Sequence, residues 1–198
     1  MSSNKELYKA AESGNLSEVQ RLLSLGGVDI DYAYELGNGN TPLFIAADNG
    51  YFQIVELLLQ NGAKVNKANN QGETPLFRVS TRGNNDIVKL LINYGANVNQ
   101  PNNNGQTPIY IASANGELQI VKMLLQRRAD VNLETNGGSS PYSIANRNNH
   151  AEIVELLVKA GAIKKGGKRI KKRKTIKKKK TNKKSSKKRR KSYRKRRC

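Results

Sequence analysis

Apolar residues return along this chain at one fixed interval. Ile54-Val55, Ile87-Val88, Ile120-Val121 and Ile153-Val154 lie 33 residues apart. So do Thr41-Pro42-Leu43, Thr74-Pro75-Leu76, Thr107-Pro108-Ile109 and Ser140-Pro141-Tyr142, each with the same period of 33. A third register repeats as Gly62-Ala63, Gly95-Ala96, Arg128-Ala129 and Gly161-Ala162. Three anchors that keep one spacing over four copies define an internal repeat.

Each copy predicts the same local structure. Thr41 is an N-cap whose hydroxyl can accept from the free N–H groups of a helix start. Pro42 fits the first helical position, where its missing N–H costs nothing. The helix runs to about Asp48, and Gly50 closes it in the left-handed conformation. Ile54, Val55, Leu57, Leu58 and Leu59 then give a second helix with a broad apolar face, closed by Gly62. Ala63-Lys64-Val65-Asn66 leads into a Gly- and Asn-rich stretch. There Asn70-Gln71-Gly72, Asn104-Gly105 and Asn136-Gly137-Gly138 supply residues suited to the positive φ of a projecting β-turn. Neither helix can bury its apolar face alone, so neighbouring copies must stack into one core.

The first unit departs from the period. Leu7, Ala10-Ala11, Gly14, Val19 and Leu22-Leu23 match Leu43, Ala46-Ala47, Gly50, Val55 and Leu58-Leu59 at a spacing of 36. Three extra residues therefore fall between Gly26 and Gly39. Thr-Pro is missing, and Ser3-x-x-Glu6 is expected to serve as a capping box instead.

A turn plus two antiparallel helices at this period, opened by Thr-Pro-Leu, resembles the ankyrin repeat. The resemblance covers roughly residues 4–163. It implies an all-α ankyrin-repeat solenoid of helix-turn-helix units joined by β-turn hairpins. The expected repeat domain spans 1–163, with a cap-like unit at 4–33 and repeats at 34–66, 67–99, 100–132 and 133–163. The family's signature histidine is replaced by Phe44, Phe77, Tyr110 and Ser143, which removes the usual Thr–His support. The last repeat also has Ser140 for Thr, Tyr142 for Leu and Asn149 for the turn glycine. Arg128 stands where the other copies end the second helix with glycine, at a cost of about 1 kcal/mol if it is left-handed.

Charge divides the chain in two. The formal net charge is +21, yet 23 of the 36 Lys and Arg lie between Lys164 and Cys198, where there is no Asp or Glu. The first 163 residues hold the other 13 basic side chains and all 15 acidic ones, a net of −2. Residues 164–198 are expected to form a disordered basic tail, because dense like charge with few apolar residues does not repay the entropy of ordering.

The residue inventory offers little chemistry. Cys198 is the one cysteine, so no intrachain disulfide forms. Met1-Ser2-Ser3-Asn4-Lys5-Glu6 has no apolar signal core, and no run approaches the length of a membrane span. These features lead to the expectation of an intracellular protein, and the basic tail slightly favours the nucleus over the cytoplasm. His150 follows the turn residue Asn149, where a structural role is expected. One histidine and one terminal cysteine do not make a zinc site of the usual ligands. No phosphate-binding glycine loop is present. No cofactor, metal or catalytic group is expected, and the chain is read as a non-enzyme.

The resemblance further implies a protein partner held by the hairpin tips and the exposed side of the first helices. Carried over by position, that face comprises Asn38, Asn40, Asp48 and Asn49, then Asn70, Gln71, Glu73, Thr81 and Arg82. It continues through Asn103, Asn104, Gln106, Ala114 and Asn115 to Asn136, Ser139, Arg147 and Asn148. Tyr32 and Tyr34, on the long first loop, and Arg82 and Arg147 are the candidate anchors. The abundant Asn also suits turns for compositional reasons alone. In the tail, Lys171-Lys172-Arg173-Lys174 and Lys187-Lys188-Arg189-Arg190-Lys191 resemble nuclear-localisation signals that an import receptor would bind. The same charges would hold nucleic acid by counterion release. A membrane partner is not expected, since no hydrophobic anchor accompanies the charge, and a monomer is expected. The Asn- and Lys-rich composition with its basic ending also resembles ankyrin proteins of large DNA viruses, which would imply a host protein as target.

The substitutions gathered in the last two copies predict that they are the looser end. Amide exchange is expected to be faster across residues 100–163 than across 34–99, and uniform protection over all repeats would contradict this.

Overall fold

The computed structural model describes residues 3–164. The expected disordered tail and both basic clusters, at 171–174 and 187–191, lie outside these residues. Ten α-helices form five antiparallel pairs among the described residues. They are α1 (Ser3–Ser13) with α2 (Leu16–Leu25), α3 (Pro42–Asp48) with α4 (Phe52–Gln60), and α5 (Pro75–Arg82) with α6 (Asn85–Asn93). The series ends with α7 (Pro108–Asn115) and α8 (Leu118–Gln126), then α9 (Pro141–Arg147) and α10 (Ala151–Lys159). No strand occurs among the described residues, and Tyr34 and Asn40 form an isolated antiparallel bridge. The first helices α1, α3, α5, α7 and α9 pack in one row, and the second helices α2, α4, α6, α8 and α10 in another.

The Thr-Pro motif acts as its chemistry predicts. Thr41, Thr74 and Thr107 Oγ1 accept from the backbone N–H of Phe44, Phe77 and Tyr110 at 3.1, 3.1 and 3.3 Å. These threonines are buried, so losing one hydroxyl would strand an amide away from water. The last repeat recovers support from serine. Ser140 Oγ accepts from Ser143 N, and Ser143 Oγ accepts from Ser140 N, closing a reciprocal box. The expected box at the chain start is not formed by Ser3. That residue already lies within α1, so its side chain is not at the cap position.

Columns of identical side chains build the core. Leu22, Leu58, Leu91, Leu124 and Leu157 are all buried, as are Ile54, Ile87, Ile120 and Ile153. Burial of one such side chain contributes about 1.5–3 kcal/mol, and each belongs to a cluster that runs from Leu7 to Ala162.

Polar ties recur at the same interval. Asn66, Asn99 and Asn132 Oδ1 each accept, at 2.8 Å, the backbone N–H of Asn97, Asp130 and Ile163 in the following segment. Asp31 does the same for Lys64 N at 2.9 Å. Turn glycines sit beneath side chains of the next repeat. Gly116 has φ +79°, and a Cβ there would come within 2.7 Å of the His150 ring. His150 Nε2 lies 3.1 Å from the Ala114 carbonyl oxygen. The single histidine is thus a tie between repeats.

The extra residues of the first unit form an ordered loop with a 3-10 turn at Glu35–Gly37. Asn38 and Gly39 are both left-handed. Tyr34 packs its ring on Tyr8, centroids 4.5 Å apart. Burial and the neighbouring Glu12 charge push the Tyr8 hydroxyl up to about 12, against a lowering hydrogen bond from Asn40.

Arg128 adopts φ +59° where the equivalent Gly62, Gly95 and Gly161 are also left-handed. Arg128→Gly is therefore expected to raise the unfolding free energy by roughly 0.5–1 kcal/mol, measured by urea denaturation. An unchanged or lower midpoint would show that the arginine carries no backbone cost.

Candidate functional site

The predicted face consists of two parallel bands. One is the row of hairpin tips. Asn70 N donates to Asn38 O at 2.9 Å, Asn103 N to Gln71 O at 3.0 Å, and Asn136 N to Asn104 O at 3.0 Å. Side chains strengthen the row, since Asn103 Nδ2 donates to Asn70 O and Asn136 Nδ2 to Asn103 O. Inside the tips at Asn70 and Asn103 an Asx-type turn fixes the loop. Asn69 Oδ1 accepts from Gln71 N and Glu73 N, and Asn102 Oδ1 from Asn104 N and Gln106 N. Thr135 Oγ1 accepts from Ser139 N in the last tip. Asn40 is held by Asn69 Nδ2.

The second band is the exposed end of the first helices. Asn49, Asn115 and Asn148 donate their amides to the carbonyls of Glu12, Thr81 and Ala114, one repeat back. Much of the asparagine on this face therefore holds the repeats to one another. Asn38, Gln71, Asn104 and Arg147 are exposed, whereas Tyr32, Glu73, Thr81, Gln106, Ala114 and Ser139 are half-buried. Tyr34 is turned inward onto Tyr8 and spends its apolar surface on the loop rather than presenting it.

Arg82 breaks the asparagine column. Its Nε donates to Asp48 Oδ1 at 2.6 Å, and Arg78 Nε donates to the same oxygen at 2.9 Å. Burial pushes the Asp48 carboxyl up, but the two guanidiniums outweigh it and hold its pKa below the ordinary aspartate value. Arg78 was not among the sequence-predicted site residues. Its signal was a cation in a column that the other three full repeats fill with Ile45, Ile111 and Ile144. Leu36 was also absent from that set, although it is 84% exposed at the top of the 3-10 turn. It belongs to the non-repeating insertion, where no column exists for comparison.

No group of three or more His, Cys, Asp or Glu among the described residues is arranged to hold a metal ion. No helix among them is long and apolar enough to cross a membrane.

The stacked helix pairs, capped by Thr-Pro and joined by projecting turns, define a helical repeat array. The chain belongs to the ankyrin-repeat family: the family model "Ankyrin repeats (3 copies)" matches residues 7–102 and 79–168. Two curated relatives share part of the array. The E3 ubiquitin-protein ligase XBAT33 of Arabidopsis thaliana is 40% identical over 67 residues, covering 34% of this chain and 13% of that protein. Cortactin-binding protein 2 of Mus musculus is 40% identical over 63 residues, covering 32% of this chain and 4% of that protein. The chain thus spans only a small part of the relatives it matches.

Asp48 with its lowered pKa contributes stability that is present above the unfolded aspartate value and is lost as pH falls through the folded one. Asp48→Asn is expected to cost about 1 kcal/mol at pH 7, with screening of these partly exposed arginines included. The gap between wild type and variant should close below about pH 4. A gap that persists unchanged at pH 3 would contradict the ion-pair origin.

Proposed function

We propose that this chain is a non-enzymatic scaffold that holds a protein partner on its repeats. The observation that carries the reading is the continuous row of tips tied by backbone hydrogen bonds from Asn38 to Asn136. A face fixed in this way loses little conformational freedom on binding, which favours affinity at modest contact area. The family's common role in protein interaction supports the same reading. The partner-facing set would be the exposed members of the two bands, with Arg82 and Arg147 as anchors. Tyr34 is a support for the loop in this account, and Tyr32 flanks it.

The basic segment from Lys164 onward supplies a second activity in this proposal, either nuclear import or polyanion binding. Its 23 cations without one acidic residue favour any polyanionic surface, and the two clusters at 171–174 and 187–191 fit an import receptor. A nucleic-acid-associated protein, in which that segment binds and the repeats recruit, is the second reading. The same charge run favours it. Tyr193 is the single aromatic there for base stacking, so such binding would be independent of sequence.

Truncation at Ile163 separates the two parts. The shortened chain should still capture a specific partner from cell extract, and should lose nuclear accumulation and nucleic-acid affinity together with the tail. Nucleic-acid binding by the full chain should fall about 10³–10⁵-fold between 50 and 200 mM salt if 6–10 phosphates are neutralised. A shortened chain that captures nothing specific would overturn the scaffold reading.

A further inference from the structure

The repeats themselves provide an internal standard against which one joint stands out. At the end of the first helix, Asn49, Asn115 and Asn148 each tie to a carbonyl one repeat back. The equivalent residue of α5 is Arg82. One turn earlier, where α3, α7 and α9 carry Ile45, Ile111 and Ile144, α5 carries Arg78. Both departures fall in one repeat, and both side chains converge on Asp48 Oδ1.

A single arginine would suffice to replace the lost asparagine tie. Two arginines leave the cluster with a net charge of +1. Both bind through Nε alone, so within the hydrogen bonds of the described residues their terminal NH2 groups remain without a protein acceptor. Asp48 is the one carboxylate among the described residues that pairs with either guanidinium. It is nearly covered, its side chain 11% exposed, whereas Arg82 is 54% exposed. The anion therefore lies beneath and a cation above. A cleft of about 350 Å³ opens beside Arg82, lined by Ala47, Asp48, Asn49, Gly50, Arg82 and Asn84; Arg78 lies outside that lining, with its side chain 33% exposed.

We propose that the Arg78–Arg82 pair, oriented by Asp48, is a docking point for a carboxylate of an acidic segment in the partner protein. This inference rests on the scaffold reading above and names the chemistry of one contact within it. Guanidinium groups offer paired N–H donors in a planar fork that matches a carboxylate. The charge fits a monoanion, because one carboxylate brings the cluster to neutrality. A phosphate dianion would leave it negative and would face Asp48. Asp48 serves as the positioning residue: it fixes both side chains before the partner arrives and reduces the ordering cost of binding.

The test uses the full chain and three matched random-peptide sets, containing Asp and Glu, Asn and Gln in their place, or phosphoserine. The comparison protein is Asp48→Ala/Arg78→Ile/Arg82→Asn. Each substituted residue already occupies the equivalent position in another repeat, as Ala114, Ile45 and Asn49 do, and a thermal melt checks its folding. Arg78→Lys/Arg82→Lys is a second variant that keeps the charge but loses the fork.

Wild type should select peptides with a carboxylate at one fixed position. Exchanging that carboxylate for an amide should weaken binding roughly ten- to hundredfold. The triple variant should lose a similar factor and become indifferent to the exchange, and the double-lysine variant should fall between the two. Equal binding of the selected peptides by wild type and the variants would make the pair a structural tie only. It would overturn this proposal while leaving the scaffold reading intact. Preference for phosphoserine over glutamate at the fixed position would overturn the carboxylate assignment. Selection by net peptide charge alone, with no fixed position, would assign the binding to the basic segment from Lys164 onward and overturn the docking point, while leaving the scaffold reading to the truncation at Ile163.

Discussion

No helix pair in this protein can bury its apolar face without a neighbour, and that constraint organises everything else. α4 brings Ile54, Val55 and Leu58 to one side, and α6 brings Ile87, Val88 and Leu91 in the same register. The core between them is shared by two repeats rather than owned by either. A linear array follows, with stability arising from each unit and from each joint. The buried threonine caps serve the same end, since helices of seven to nine residues are too short to be stable in isolation.

The joints are also where the polar residues do their main structural duty. Apolar stacking is tolerant of small slips, whereas a hydrogen bond is not. Asn66, Asn99 and Asn132 fix the segment that follows each second helix, and the tip row from Asn38 to Asn136 fixes the turns four residues further on. Asparagine suits both tasks because its amide carries a donor and an acceptor on a short side chain. The surface that would face a partner is consequently a rigid one, and its Asn-rich composition has a physical reason beyond turn preference.

Against this background the joint between α3 and α5 is a local exception. It replaces a neutral amide tie with two cations and one anion. Charge-assisted bonds are stronger than amide ties, but they carry a field that a neutral joint does not. The last repeat shows a different accommodation: Ser140 and Ser143 rebuild the cap in place of threonine, and Asn149 takes the left-handed turn in place of glycine.

Repetition made the fold legible. Thr41-Pro42, the Ile54 and Leu58 columns and the closing glycines each specify a local element by short-range sterics and capping, and a fixed period forces like to stack on like. Even the left-handed Arg128 and Asn149 followed from register alone. The chain start departs from its motif, since Ser3, expected as the cap, lies within α1. The candidate site was only half legible. Column position indicated which residues lie near the face, but not which of their donors are already engaged one repeat away. That Asn49, Asn115 and Asn148 point back into the array, that Tyr34 turns onto Tyr8, and that Arg78 reaches Asp48 across 30 residues are matters of side-chain direction in three dimensions. The sequence by itself determined the repeat, its helices and its caps, because those rest on contacts within a few residues or on identical spacing. Only the tertiary structure decided which polar groups are used in holding the repeats together and which remain exposed, because that depends on what each side chain meets across a joint.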